Sequence, residues 1–342
     1  MGLALDVDGA DADSAWSALR ARPDWAPLVA RLQPRETAGR ATVAFALGDS
    51  MTVAEGVAVD PRSGRTFVSS IRYGTITMRD GLGQRPFVRP PTGGTWWALL
   101  GLAPDPERGL LWASTAAMPP FASYAAADSN RTGLVAFDLF AGAPLARIEL
   151  PRDGRPHVLG DISVLADGAV VAADAAGGAL YIVAPRTTTL RALVPPGALP
   201  SPQGSTAASD GRRIFVADYV KGIVAVDRRS GAVRVLAKPD TLALVGIDGL
   251  ARVGNELVAV QNGTRPQRVL RLTLDTAETR VEKWEVLVAG APLLDEPTHV
   301  TITPGREALV VANSGSNAFT EAGARRPDMP LSAPRVLRIP LF

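Results

Sequence analysis

The sequence predicts an all-β fold, a six-bladed β-propeller preceded by a short N-terminal helical segment. A unit of strand, tight turn and strand first appears in residues 55–76, and the turn at 60–64 contains Asp, Pro, Ser and Gly. Five further copies follow at intervals of about 40–50 residues, the length of a four-stranded blade. The 33 glycines and 28 prolines fit the many turns that such a fold needs.

Each copy opens with a residue that we expect at the start of the innermost strand of its blade. These six residues, which we call the axial ring, are Glu55, Leu100, Gly160, Gln203, Asp248 and Thr298. Propellers close by pairing strands from the two ends of the chain, because this removes open sheet edges. Residues 42–47 and 335–341 have the composition of strands and are the candidates for this pairing.

Residues 1–40 differ from the repeats, and we expect them to form a helical extension outside the propeller of residues 41–342. Ser14 is a candidate N-cap for a helix that Pro23 would end. A second helix is indicated by an apolar face at helical spacing, formed by Trp25, Leu28, Val29 and Leu32. We expect both helices to pack on the propeller rim or across one mouth of its channel.

Composition excludes several classes of function. With 46% hydrophobic and 20% charged residues, the 342-residue chain has the composition of a folded protein with a sizeable core. The formal charge is only +2 and the arginines are scattered, so we expect no nucleic-acid partner. No apolar run approaches about 18 residues, so we expect no membrane partner. The chain has no cysteine, which excludes disulfides, thiolate metal sites and cysteine nucleophiles.

The axial ring brings acidic and amide side chains together at one mouth of the channel. Glu55 and Asp248 occupy ring positions, Asp161 directly follows Gly160, and Gln203 adds an amide oxygen. Carboxylates that share a low-dielectric funnel repel one another unless one is protonated or a cation is bound. Oxygen ligands favour a hard divalent cation, Ca²⁺ first, with Mg²⁺, Mn²⁺ or Zn²⁺ as alternatives. The alternative interpretation is that these groups begin strands and cap turns through backbone hydrogen bonds.

Further candidates for a substrate pocket lie beside the ring in the repeat pattern. His299 directly follows Thr298 and is a candidate general base or substrate contact, with a structural role as the alternative. Trp97 is a candidate for an apolar pocket wall or for the core. Long insertions at 116–132 and 315–333 would wall the same pocket if both emerge at one mouth. The polar candidates, for which turn formation is the alternative, are Gln261, Asn262, Glu296 and Asn313.

Several short motifs occur in the order found in a known superfamily. They are EGVAVDP at 55–61, LGDI at 159–162, SPQGS at 201–205, GIDGL at 246–250 and DEPT at 295–298. From about residue 40 to residue 342 the chain resembles a bacterial branch of the gluconolactonase/senescence-marker-protein/luciferin-regenerating-enzyme superfamily. The resemblance implies six blades and one divalent cation, often Ca²⁺, at the channel mouth. In the superfamily a Glu, one or two Asn and an Asp hold this cation.

Two ring residues of this chain match that ligand set and two depart from it. Glu55 and Asp248 match the Glu and the Asp, whereas Gln203 and Gly160 stand where the superfamily has Asn. The resemblance therefore implies that Asp161, a water or a backbone carbonyl completes the site. It also implies metal-assisted hydrolysis of a lactone or related ester, in which Asp248 or Asp161 takes a proton from the attacking water. His299 is the second candidate for this proton transfer.

Two other functions stay open on the same fold. One is non-hydrolytic biosynthetic chemistry of the strictosidine-synthase-like type, and the other is a ligand-binding or scaffold propeller without catalysis. The chain lacks Gly-x-Ser-x-Gly, His-Glu-x-x-His and Walker motifs. We expect a monomer that acts on a small-molecule substrate. No charged and then apolar leader opens the sequence, and a cytoplasmic, periplasmic or secreted location stays open.

Overall fold

The structure is a computed structural model that describes residues 14–27, 37, 39–50, 52–90, 94, 96–290, 292–320 and 322–342. Within these residues the strands form six four-stranded sheets, which confirms the predicted six-bladed β-propeller. Strand β1 spans Thr42–Ala46. Blade one contains β2 (Ala54–Val59), β3 (Thr66–Ser70), β4 (Ile76–Asp80) and β5 (Gly83–Val88). Blade two contains β6 (Ala98–Asp105), β7 (Leu110–Ala116), β8 (Thr132–Asp138) and β9 (Pro144–Glu149).

The remaining blades follow in chain order. Blade three contains β10 (Leu159–Val164), β11 (Val170–Asp174), β12 (Ala179–Val183) and β13 (Arg191–Val194). Blade four contains β14 (Pro202–Ala207), β15 (Arg213–Asp218), β16 (Gly222–Asp227) and β17 (Val233–Val235). Blade five contains β18 (Ile247–Val253), β19 (Glu256–Gln261), β20 (Arg268–Leu274) and β21 (Val281–Ala289). Blade six contains β22 (Val300–Ile302), β23 (Glu307–Val311), β24 (Arg335–Pro340) and β1.

Blade six joins the two ends of the chain. Strand β1 pairs antiparallel with β24, with Thr42 opposite Arg338 and Ala46 opposite Arg335. The strand order β1-β24-β23-β22 places β1 at the outer edge of this blade. The predicted pairing of residues 42–47 with the C-terminal strand is therefore confirmed.

Short helices lie outside the blades. A 3₁₀ turn at Ser14–Trp16 runs into the α-helix Ser17–Arg20, and further 3₁₀ turns occupy Ala126–Asp128 and Ser316–Ala318. No side chain described in residues 14–27 is buried, and the packing of this segment on the rim or across one mouth of the channel stays a prediction. The predicted apolar residues Leu28, Val29 and Leu32 lie outside the described residues. In the described parts of the chain, no helix has the length and apolar character needed to cross a bilayer.

The core lies between neighbouring blades. Between blades one and two, the fully buried Phe67 and Phe137 share an apolar cluster with Trp96, whose ring meets that of Phe137 edge-on at 5.2 Å. Burying one such side chain contributes about 1.5–3 kcal/mol, and an aromatic pair of this geometry adds about 0.5–1.5 kcal/mol. The apolar clusters between blades set the spacing of the blades and thereby the distance between their innermost strands at the axis.

Candidate functional site

The innermost strands of five blades carry a β-bulge at the axial ring. In blade one, residues 55 and 56 lie opposite the single residue Ser69 on β3. A bulge of this kind bends its strand and changes the direction of the side chains. The same two-against-one pairing occurs at residues 100–101, 160–161, 203–204 and 248–249. In these five blades the side chains of the ring residues therefore do not follow the usual alternation between the two faces of the strand. This occurs where the innermost strands approach one another.

Glycines and serines at these bulges connect each innermost strand to the next blade. A Cβ atom on Gly249 would lie 2.5 Å from the carbonyl oxygen of Thr298, so only glycine allows this approach. On the second strand of blade one, the Ser69 hydroxyl donates a hydrogen bond to the Leu100 carbonyl of blade two. The corresponding link from blade two to blade three is made by Ser114 and Gly160. These contacts fix the ring residues relative to one another.

A cavity of about 130 Å³ lies where the innermost strands meet. Leu100, Val158 and Ala175 form its apolar side, and among the described residues neither lysine nor arginine lines it. Its polar side is formed by Glu55, Asp161, Gln203, Asp248, Thr298 and His299. The structure thus brings every predicted metal-ligand and catalytic candidate to one cavity.

The negative charges of the three carboxylates in the cavity repel one another, so each disfavours ionisation of its neighbours. Burial raises the pKa of Glu55 well above its ordinary value, and the nearby charges of Asp248 and Asp161 raise it further. Burial and the charge of Asp161 raise the pKa of Asp248 to about 7, against a hydrogen bond from Asn262 that lowers it. Burial also raises the pKa of Asp161, while the neighbouring His299 lowers it. Near neutral pH the cavity therefore retains protons unless a cation replaces them.

The polar residues of the cavity have different partners. Asp161 Oδ1 lies 3.2 Å from His299 Nδ1, so these two side chains form a pair, exposed to only 11% and 13%. Gln203 donates its Nε2 to Ser201 Oγ at 2.9 Å, which leaves its amide oxygen as the group that can bind a ligand. Glu55 is held through its backbone, because its carbonyl accepts a hydrogen bond from the Thr298 hydroxyl of blade six.

Asn262 and Glu296, both predicted for the substrate pocket, flank Asp248 without lining this cavity. Asn262 Nδ2 donates to Asp248 Oδ2 at 2.7 Å, and Asn262 Oδ1 accepts from the Tyr219 hydroxyl at 3.0 Å. The charge of Glu296 contributes to the raised pKa of Asp248. Sequence reasoning missed Tyr219, whose only signal is its place directly after the second strand of blade four.

Three other predicted pocket residues lie in the packed interior and do not line this cavity. Trp97 is buried in an apolar cluster, with two guanidinium groups 4.8 and 4.5 Å from its ring. The Gln261 side chain is fully buried, accepts a hydrogen bond from Arg268 and donates to two backbone carbonyls. Asn313 accepts a hydrogen bond from the backbone N–H of Arg335 at 2.7 Å. Core packing and turn formation, the alternatives that the sequence left open, account for these positions.

The two long insertions meet beside the cavity. Segments 117–131 and 312–334 each follow the second strand of their blade, so they emerge at the end where the first strand begins. Phe121 of the first segment and Phe319 of the second share one apolar cluster with Leu100 of the cavity wall. We call Phe121 and Phe319, together with the cluster that they share, the apolar cover. Both insertions therefore emerge at one mouth, but among the described residues none of theirs lines the cavity itself.

No family model and no curated protein match the sequence. Solved structures with the same fold include a gluconolactonase from Xanthomonas campestris, which aligns over 91% of this chain and 92% of its own, with TM-score 0.58 and 14% identity. A luciferin-regenerating enzyme aligns over 84% and 91%, with TM-score 0.57 and 15% identity. Virginiamycin B lyase from Staphylococcus aureus aligns over 88% and 99%, with TM-score 0.56 and 14% identity. Two of these names belong to the superfamily that the sequence resembles, and likeness at this identity shows the fold.

The donor atoms around the cavity have the chemistry that a hard divalent cation needs. Glu55, Asp248 and Gln203 supply carboxylate and amide oxygens, and among the described residues no lysine or arginine lines the cavity to neutralise them. Among the described residues, no three Asp, Glu or His side chains are grouped closely enough to hold an ion. Because Asp161 is paired with His299, the oxygens left for an ion are those of the Glu55 and Asp248 carboxylates and of the Gln203 amide.

Proposed function

We propose that the protein is a metal-assisted hydrolase that opens a lactone or cleaves a related ester. The observation that carries the proposal is the convergence of Glu55, Asp248 and the Asp161–His299 pair on one axial cavity, whose lining among the described residues holds no lysine or arginine. The gluconolactonase of X. campestris bears a name of this reaction class. The apolar side of the cavity suits the carbon skeleton of such a substrate.

Glu55, Asp248 and the Gln203 amide would hold a divalent cation, Ca²⁺ in the first place. When bound, such a cation polarises a carbonyl group and stabilises the negative charge that develops on its oxygen. The raised pKa values of Glu55 and Asp248 support this assignment, because two buried carboxylates that no described lysine or arginine of the lining neutralises have a cation as their natural partner.

His299 is the proposed general base, and Asp161 is the residue that positions it. The ion-pair contact of 3.2 Å between His299 Nδ1 and Asp161 Oδ1 turns Nδ1 towards the carboxylate, and Nε2 would then accept a proton from the water that attacks the carbonyl carbon. As the carbon–oxygen bond of the ester breaks, the same proton passes to the leaving alkoxide oxygen. A lactone would thereby become a hydroxy acid. Asp248 is the weaker candidate for the base, because one of its oxygens is occupied by Asn262.

The test is turnover of a panel of lactones and aryl esters by the purified protein, with Ca²⁺ and with a chelator. We expect the chelator to abolish turnover and His299→Gln to reduce kcat by about 10²–10⁴-fold, the usual contribution of a positioned base. Asp240→Asn, at an exposed position outside the cavity lining, is the matched control for Asp248→Asn. Turnover that survives both the chelator and Asp248→Asn would refute metal assistance. A product with a new double bond would instead indicate lyase chemistry, the class named for the S. aureus neighbour.

A further inference from the structure

We propose that Tyr219 and Asn262 form a hydrogen-bonded relay that positions Asp248. The relay crosses three blades: Tyr219 follows β15 of blade four, Asn262 follows β19 of blade five, and Pro297 precedes β22 of blade six. The inference rests on the proposed function in one respect, namely that Asp248 is a cation ligand. Its structural part, the coupling of Tyr219 to Asp248 through Asn262, stands on hydrogen bonds alone.

The partners of Asn262 decide which way its amide faces. Its Nδ2 lies 2.9 Å from the carbonyl oxygen of Pro297, which can only accept a hydrogen bond. The same Nδ2 lies 2.7 Å from Asp248 Oδ2, and Oδ1 lies 3.0 Å from the Tyr219 hydroxyl. If the amide were flipped, its oxygen would face the Pro297 carbonyl and the carboxylate. The three contacts therefore select one orientation, in which an N–H group points at Asp248.

Tyr219 is itself held in place by close backbone contacts. A Cβ atom on Gly263 would lie 2.5 Å from the Tyr219 hydroxyl oxygen, so the glycine leaves the space that the phenol occupies. The Tyr219 carbonyl accepts a hydrogen bond from Gly246 N–H at 2.7 Å. Burial raises the pKa of Tyr219, so its hydroxyl keeps the proton that it donates to Asn262. The relay thus begins at a rigidly placed donor.

The relay determines what Asp248 offers to the cavity. Because Oδ2 accepts the hydrogen bond from Asn262, Oδ1 is the oxygen left for a cation. The second hydrogen bond of the same amide, to Pro297, fixes the chain directly before Thr298 and His299. One side chain therefore sets Asp248 and the start of blade six relative to each other. Loss of a residue that hydrogen-bonds to a metal ligand typically weakens metal binding by about 10–100-fold.

Calorimetric titration with Ca²⁺ tests the relay without reference to turnover. We expect Asn262→Ala to weaken binding by about 10–100-fold and Tyr219→Phe by about 10-fold. The double variant should bind no more weakly than Asn262→Ala alone, because both changes break one relay. The matched control for Asn262→Ala is Asn255→Ala, at the exposed opposite end of the same β18–β19 hairpin. The matched control for Tyr219→Phe is Tyr181→Phe, which changes a buried tyrosine outside the cavity lining.

The outcomes separate the relay from the proposed function. If the wild type binds Ca²⁺ and Asp248→Asn does not, an unchanged Kd in Tyr219→Phe and Asn262→Ala overturns the relay and leaves the proposed function intact. If the wild type binds no Ca²⁺, the cation-dependent function fails and a double-variant cycle decides about the relay. The effects of Tyr219→Phe and Asp248→Asn on Tm would then be non-additive if the relay exists, and additive effects would overturn it.

Discussion

Gly249→Ala tests whether the close approach of the innermost strands holds the axial ring in place. The added Cβ would lie 2.5 Å from the Thr298 carbonyl oxygen and 3.0 Å from the His299 Cα atom, and neither backbone atom can rotate away. Ordinary contact begins near 3.4 Å, so the two strands must separate by about 0.9 Å (3.4 minus 2.5). Overpacking of this kind costs about 1–3 kcal/mol. With an unfolding entropy of about 2.1 cal/mol/K per residue, the Tm of the 342-residue chain should fall by about 1–4 °C.

The same separation moves His299 away from the other residues of the cavity. A misplacement of about 1 Å at a reacting group lowers turnover by about 10²-fold, so we expect a loss of that order in kcat. The assay is scanning calorimetry together with turnover of the best substrate from the panel. Gly160→Ala is the matched control for stability, because a Cβ at this ring position meets no atom within 4 Å. Equal Tm and equal kcat in wild type and Gly249→Ala would refute the reasoning.

Other contacts give three further predictions. Gly160→Asn should tighten Ca²⁺ binding, because it adds an amide oxygen in open space beside the cavity; an unchanged Kd by calorimetry would argue against this geometry. Burial opposes the charged form of His157, but Asp174 at 2.5 Å and Asp153 at 3.0 Å outweigh it and raise its pKa. This stabilisation is complete below the unfolded-state pKa of 6.5 and is lost as pH rises through the raised pKa. Urea unfolding should therefore show His157→Gln destabilised by about 1–3 kcal/mol in acid and by less in base, and a loss that does not depend on pH would contradict the ion pairs. Phe319→Ala should open the apolar cover and destabilise the protein by about 3–5 kcal/mol; a loss below about 1 kcal/mol would show that the cover is not packed.

The blades and the closing strand pair could be predicted because they depend on local patterns. Turn residues such as those at 60–64 and the repeat period locate each strand, and alignment of the repeats then gives the ring position. Glu55 and Asp248 reach one cavity for this reason. The two-residue bulge was not predicted, although it explains why Asp161, one residue past its ring position, lines the same cavity as the ring residues.

The remaining site contacts could not be predicted because their partners are distant in sequence. Tyr219 and Asn262 are 43 residues apart, and Ser69 and Leu100 are 31 apart, yet each pair bridges adjacent blades. Whether a polar side chain faces the channel or bonds to its own blade depends on such neighbours. Gln261, next to Asn262 in the chain, is satisfied entirely by Arg268 and backbone carbonyls. Sequence alone cannot separate these two cases.

The most direct measurement is a calorimetric titration of chelator-treated protein with Ca²⁺ at about pH 8 and about pH 6. We predict one binding site that disappears in Asp248→Asn and persists in Asp240→Asn. Burial raises the pKa of Asp248 to about 7, so protons should compete with the cation and binding should be weaker at the lower pH. Failure of the wild type to bind Ca²⁺, Mg²⁺ or Mn²⁺, or equal binding by Asp248→Asn, would contradict a cation site at the axis.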